Sequence, residues 1–446
     1  MNIGLTELVQ EVVKKSQKLG ADMSEVYCIR AKELSIEVRH EQVENLKLAE
    51  ERGIGIRIFK KGRMGFAYTA DLSPAAVKRA LEEALANSLQ ASADEYNRLP
   101  EPASGYVQLA IFDPAIREET VENKIELARR LEQAGFDFDS RVKITEAAGY
   151  EDSEYEVAIA NSKGLQAEYR GSYAGLYLML VAQEGEESQT GFSVQYSRRL
   201  AQLEPERVGR EAAGKAVRML GARRISTGRV PVVFDPYVAV NFLGVLAPAL
   251  SAEAVQKGRS LFARRLGEKV GGNITIIDDG TLPEGIASAP FDGEGVPTER
   301  TVLLEGGVLK NFLYNTYTAA RAGVKSTGNG MRGSFKATPE VGPTNLFIMP
   351  GEKSAPDLIG GVGEGLYITE VMGMHNANPV SGDFSVGATG LWISGGELAY
   401  PVRGITIAGN LLELLEAVEG VANDLTFFGG RGAPTLCIGR MTVGGE

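Results

Sequence analysis

Glycine is distributed unevenly along this chain, and the unevenness limits what it can fold into. Of 54 glycines, 17 fall in residues 1–224 and 37 in residues 225–446. Glycine inside a helix or strand costs backbone entropy, so the glycine-dense half must be built from short strands and many turns. The first half instead alternates charged, helix-like segments with strand-like ones. A length of 446 residues suits two or three domains. The seam falls in Gly221-Ala-Arg-Arg-Ile-Ser-Thr-Gly228, a polar stretch with a glycine at each end. We therefore expect an N-terminal α+β domain with a strand meander over 1–224, and a glycine-rich, strand-rich domain over 225–446.

In the first half, Leu5, Leu8, Val9, Val12 and Val13 recur at helical spacing. A meander follows over Glu33–Arg39, Gln42–Lys47, Gly55–Phe59 and Gly65–Thr69, with Lys61-Gly62-Arg63 as a hairpin turn. Ser73-Pro74 reads as the start of a helix running to about Leu89, a second helix covers Val121–Gln133, and Glu204–Leu220 is a third. Lys143–Ser197 reads as antiparallel strands turning at Asn161–Gly164. The second half opens on a buried-strand pattern, Val230–Phe234, and an apolar helix from Pro236 to about Ala249. Short strands follow at Ile274–Asp278, Thr301–Leu304, Leu346–Met349, Tyr367–Val371, Gly390–Ile393 and Tyr400–Ile407, then a helix over Asn410–Val418. Residues 320–345 lack periodicity and read as a long loop. The expected class is α+β with mixed, mostly antiparallel sheets in two domains.

Composition removes several functions. The chain carries 47 basic and 58 acidic residues, a net charge of −11, and no basic run, which argues against direct nucleic-acid binding. The longest apolar stretch, Val238–Leu250, is interrupted by Asn241 and falls short of the roughly 20 residues a membrane helix needs. The N-terminal segment reads as an amphipathic helix rather than a signal peptide. Cys28 and Cys437 are the only cysteines, so a disulfide framework is not expected and a reducing cytoplasm is.

Individual motifs mostly resolve into ordinary structure. Gly209–Gly214-Lys215 has phosphate-loop spacing but ends in Ala216 and lies inside a helical run. Gly361-Val-Gly363 is followed by a strand, so a turn is expected there. His40-Glu41 begins a zinc-type H-E-x-x-H that Glu44 leaves incomplete. Cys437 lies in an apolar run without a nearby histidine and reads as a small core side chain. The other histidine, His375, sits in Met372–Gly387, a polar loop between strands. With Asn376, Asn378, Ser381 and Asp383 it forms a candidate binding rim.

Four ordered stretches carry a resemblance. Gly53–Phe59 with Gly62–Ser73 is similar to the N-terminal signature of the TldD/PmbA family, known as modulators of DNA gyrase and as peptidases. Gly267–Val270 with Ile276–Gly280, and Phe291-Asp-Gly-Glu-Gly-Val-Pro-Thr298, resemble its central signature. Asn378–Gly387 with Ile405–Asn410 resembles the PmbA form, also called TldE. In TldD-type members the apolar helix carries H-E-x-x-x-H, two zinc ligands and a general base. The register shared at Leu266–Val270 puts Leu243, Gly244 and Pro248 at those positions. A third, cysteine ligand belongs in the segment aligning around Gly420–Asn423, where this chain has none.

The resemblance implies a TldD/PmbA-like fold and a PmbA-type subunit that binds no cofactor itself. It would join a zinc-bearing TldD-type subunit in a heterodimer that cleaves unfolded peptides, with a homodimer as the alternative assembly. The loop holding His375, Asn376, Asn378, Ser381 and Asp383 would touch the peptide or the partner. Two other readings stay open: an independent hydrolase using Asp278, Asp279, Asp292 and Glu294, and a non-proteolytic module binding a client such as gyrase.

Overall fold

The computed structural model describes residues 4–445. The first half contributes helices α1 (Leu5–Lys18), α2 (Pro74–Gln90), α3 (Pro114–Glu118), α4 (Val121–Phe138) and α5 (Pro205–Val217). Its strands are β1 (Met23–Arg39), β2 (Gln42–Lys60), β3 (Arg63–Thr69), β4 (Val142–Asn161), β5 (Gln166–Glu184) and β6 (Glu187–Ser197). They form one antiparallel sheet in the order β3-β2-β1-β4-β5-β6. Strand alternation puts Val26, Cys28, Leu34, Ile36 and Val38 of β1 on one face, buried under α1, α2, α4 and α5. Gly209 lets α5 approach α4 closely: a Cβ there would lie 2.4 Å from the Leu131 carbonyl oxygen. The phosphate-loop spacing is therefore a helix contact.

Beyond the seam come β7 (Gly228–Phe234), α6 (Pro236–Leu246), α7 (Ala252–Gln256), β8 (Ile276–Asp279), β9 (Arg300–Glu305), β10 (Val308–Leu309) and α8 (Thr316–Ala322). The two-residue strands β11 (Gly330–Met331) and β12 (Glu340–Val341) precede β13 (Leu346–Ile348), α9 (Ala355–Gly360), β14 (Glu364–Met372), β15 (Asp383–Ser394) and β16 (Glu397–Asn410). The chain ends with α10 (Leu411–Glu416), β17 (Val418–Val421), β18 (Thr426–Phe428), β19 (Arg431–Ala433) and β20 (Leu436–Gly444). One sheet runs β16-β15-β14-β7-β20-β17, and β16 also pairs with β20, so five of its strands close on themselves. A second runs β10-β9-β8-β13-β19-β18, and β11 and β12 form a small two-stranded sheet of their own. Only β7–β14 and β13–β19 are parallel. The molecule is thus α+β with mostly antiparallel sheets. No strand of the first sheet comes from beyond Ser197 and none of the others from before Gly228, which is why we propose the division into 1–224 and 225–446. Among the described residues no helix is long and apolar enough to cross a membrane.

Several elements differ from the sequence reading. The first two strands run unbroken over Met23–Arg39 and Gln42–Lys60. Residues 48–52 look like a break because Glu50, Glu51 and Arg52 are charged, but they lie past the end of β3 on the sheet edge, where both faces meet solvent. Helix α6 stops at Leu246, and Ala247–Leu250 continues as a 3₁₀ turn. Pro248 has no N–H to donate to the Gly244 carbonyl. The C-terminal helix spans only Leu411–Glu416, with Asn410 capping it through Leu412 N–H. Of the loop expected over 320–345, residues 320–322 belong to α8, and the rest is largely loop apart from β11 and β12.

A buried ionic network joins the halves. Glu25 and Arg57 are directly opposed on β1 and β2, on the face away from the helices. Arg57 donates Nε and Nη2 to Glu25 at 2.9 and 2.6 Å, and Nη2 also to Glu294 Oε1 at 3.0 Å. Arg332 donates to the same Glu25, to the Gly293 carbonyl at 2.6 Å and to the Ala337 carbonyl at 2.8 Å. Nearby, Phe335 lies against the sheet where Gly53 and Gly55 leave space. A Cβ on Gly53 would come within 2.2 Å of its ring. A second clamp is Arg198 at the end of β6, fully buried, which donates to the carbonyls of Gly285, Ile286 and Ser288. Removing the cation from a buried pair leaves charges without partners. Arg57→Met should lower unfolding free energy by about 3–5 kcal/mol in urea denaturation and expose the loop around Glu294 to limited proteolysis. Loss below 1 kcal/mol would show that the network does not join the halves.

Candidate functional site

Helix α6 begins at Asp235, whose side chain accepts from Tyr237 N–H at 3.0 Å and from the Tyr367 hydroxyl at 2.7 Å, with Pro236 in the first turn. The helix is apolar almost all round because it lies between the two C-terminal sheets, against β14 on one side and β18–β19 on the other. Its helical period turns Leu243 into the core, 3% exposed, and Gly244 and Pro248 toward a cleft of about 480 Å³. Ala247, Ser251, Lys257, Leu313, Pro343 and Arg431 help to line it.

Arg431, the first residue of β19, lies across Gly244. A Cβ at Gly244 would be 3.0 Å from one guanidinium nitrogen and 3.6 Å from Cζ. The absence of a side chain there makes room for the cation. None of Leu243, Gly244 and Pro248 offers a donor atom, and a guanidinium beside them repels a metal ion. The residues present do not fit zinc at this place. Among the described residues no cluster of three His, Cys, Asp or Glu could hold a metal ion. The Gly420–Asn423 segment does not face this cleft from Gly420: a Cβ there would meet Leu358 and Cys437 instead.

The loop expected over Met372–Gly387 is shorter, Gly373–Gly382, because Asp383–Gly387 already pair with β16 as the start of β15, and it reaches the cleft through Pro379 and Val380. Its polar groups hold the loop in shape. The Asn378 side chain accepts from Val380 N–H at 2.8 Å and Ser381 N–H at 3.2 Å, and the Ser381 hydroxyl oxygen accepts from Asp383 N–H at 3.3 Å. Asn410 donates to the Ser381 carbonyl and to the Asp383 carboxylate, each at 2.9 Å, which holds that carboxyl below its usual range. His375 and Asn376 are exposed on a 3₁₀ turn. His40 and Glu41 form the β1–β2 turn, and their N–H groups donate to Glu132 at 2.9 Å each.

The carboxylates weighed for hydrolysis are engaged elsewhere. Asp278 accepts from Thr344 N–H at 2.7 Å, Asn329 at 2.7 Å and the Thr344 hydroxyl at 2.9 Å. Burial nevertheless pushes it up to about 6. Asp279 accepts from Thr281 N–H and hydroxyl, both at 2.8 Å. Asp292 accepts from the N–H groups of Glu294, Val296 and Gly330. Burial, and then the neighbouring Glu294 charge, raise its carboxyl. Glu294 belongs to the seam network and also accepts from Thr316 N–H at 2.7 Å. These four shape the loops that join the halves. Glu25, Arg57 and Arg431 were not singled out from sequence. A signal existed for the first two, since charged residues inside Ser24–Cys28 and Ile54–Phe59 interrupt otherwise buried strands. Arg431 follows two glycines in a hairpin, with nothing in sequence to mark it.

The architecture is that of a metallopeptidase family. Residues 227–445 match the PmbA/TldA metallopeptidase C-terminal domain, residues 114–220 the central domain and residues 24–88 domain 1. The chain belongs to the PmbA/TldD metallopeptidase family. It is 30% identical to the metalloprotease PmbA of Escherichia coli O157:H7, covering 99% of this chain and 97% of that protein. A Thermotoga maritima protein described as a modulator of a DNA gyrase superposes with a TM-score of 0.92 at 31% identity, covering 99% of this chain and 100% of that one. TldE of Thermococcus kodakarensis superposes with a TM-score of 0.92 at 26% identity, covering 98% and 100%.

Asp278 gives a pH signature. Its folded value of about 6 exceeds the ordinary 3.8, so the folded state retains a proton that the unfolded chain releases. That contribution is complete below about pH 4 and is lost as pH rises through about 6. Against Asp278→Asn, which cannot titrate, the wild-type stability should fall by about 2–3 kcal/mol between pH 4 and 7, read from urea midpoints. A parallel pH dependence of the two proteins would contradict this.

Proposed function

We propose that this chain is the PmbA/TldE-type, non-metal subunit of a heterodimeric zinc peptidase acting on unfolded peptides in the cytoplasm. The zinc would come from a TldD-type partner. The observation that carries this reading is the α6 cleft: the positions that the resemblance assigns to zinc and base hold Leu243, Gly244 and Pro248, with the Arg431 guanidinium beside them. Kinship with proteins named metalloproteases supports the peptidase context. The chain's contribution would be structural: walls that exclude folded proteins, and strand edges that hold an extended peptide by backbone hydrogen bonds, a mode tolerant of sequence. The independent hydrolase is less well supported, because Asp278, Asp279, Asp292 and Glu294 already satisfy scaffold donors. A client-binding role such as gyrase modulation rests on the description of a structural relative.

The chain alone should not cleave an unstructured fluorogenic peptide, and turnover should appear on adding a TldD-type subunit. Activity that follows this chain through repeated partner-free chromatography would overturn the proposal. His375 serves as a probe of the exposed loop. His375→Ala should leave the melting temperature within about 1 °C, since an exposed substitution shifts stability by under about 0.5 kcal/mol. It should weaken partner capture or turnover several-fold. A lowered melting point with capture and turnover intact would make His375 a structural residue only.

A further inference from the structure

We propose that the α6 cleft is a receptor for the C-terminal carboxylate of a peptide, with Arg431 as the group that binds it. The inference rests on the peptide-handling reading above and deepens it. The cleft measures about 480 Å³, room for a few residues of an extended chain. Its floor and walls are largely apolar or lack side chains: Gly244, Ala247, Pro248, Leu313, Pro343, and Val380. Arg431 enters from β19 and lies over Gly244, with one guanidinium nitrogen 3.0 Å from where a Cβ would stand.

The charges lining the cleft are unequally matched. Lys257 pairs with Glu253 at 2.5 Å. Glu340 stands at the margin in β12, and Arg259 also contributes to the lining. Arg431 and Arg259 make no side-chain hydrogen bond or ion pair among the described residues. A guanidinium is a planar fork that matches a carboxylate through two parallel N–H···O bonds. Phosphate also pairs with a guanidinium, but it is usually held by converging backbone N–H groups, and three of the lining residues, Pro248, Pro343 and Pro379, have none. A largely apolar trough with two guanidiniums, Arg431 over Gly244 and Arg259 in its lining, suits the end of a chain: carboxylate on Arg431, last side chain against the prolines and Leu313.

The test is binding, and needs no turnover. A fluorescein-labelled tripeptide ending in leucine is titrated into the full chain as the free acid and as the C-terminal amide, read by fluorescence anisotropy. A third arm is the free acid with inorganic phosphate added as competitor. The acid should bind about tenfold more tightly than the amide, the effect of losing one charge-assisted pair, and phosphate should compete only weakly. Arg431→Ala should abolish the preference for the acid. Gly244→Glu places a carboxylate beside Arg431, and should block the acid while leaving the melting temperature unchanged or raised. Equal binding of acid and amide, no binding of either, strong phosphate competition, or an acid preference that survives Arg431→Ala would each overturn the proposal. Partner-dependent turnover that persists in those cases would leave the subunit reading standing without the carboxylate site.

Discussion

The rest of the structure depends on the buried pairing of Glu25 with Arg57 and its extension to Glu294 and Arg332. Two carboxylates and two guanidiniums balance, and each is hydrogen-bonded, so the cost of removing them from water is met by close geometry. Glu25 and Arg57 belong to the N-terminal sheet; Glu294 and Arg332 belong to C-terminal loops. Burial beside this set, and then the charge of Glu294, raise the Asp292 carboxyl. The network turns two glycine-rich loops, which have little core of their own, into a fixed wall against the face of β1 and β2. Phe291 and Phe335 complete that wall with apolar contact against Tyr27, Val157 and Ile159.

With the halves fixed, α6 is held between two sheets, and its single open side becomes the cleft. Two residues each have two effects there. Glycine at 244 removes any side chain that could act on a substrate, and the same absence admits Arg431. Proline at 248 offers no ligand atom and also ends the α-helix, turning the chain into the 3₁₀ segment that leads to Ser251, the cap of α7. The chemistry of the cleft and the path of the backbone are therefore set by the same residues.

The class of fold was legible in the sequence because its signals are local. Alternation in Ile54–Phe59, the Ser73-Pro74 helix start and the density of glycine after Gly228 each report short-range geometry. The charged run Glu50-Glu51-Arg52 misled because polarity at a sheet edge looks the same as polarity in a loop. The roles of Asp292 and Glu294 were not legible either. A carboxylate beside glycines says nothing of whether it meets solvent, a substrate, or an arginine more than 200 residues away, as Glu294 meets Arg57. The candidate rim loop was found, but its contact with the cleft runs through Pro379 and Val380 rather than through its polar residues, because Asn378, Ser381 and Asp383 are needed to hold the turn. Arg431 could be located only by tertiary structure, since β19 reaches α6 through sheet pairing with β13 and β18.

The central claim is that this chain shapes a peptidase site without holding its metal. The most direct test is the number and position of zinc ions in the purified complex of this chain with a TldD-type subunit, by elemental analysis together with anomalous diffraction at the zinc edge. The account predicts one zinc per heterodimer, bound by the partner, and none in the cleft beside Gly244 and Arg431. A second zinc in that cleft, retained after mild chelation, would contradict it.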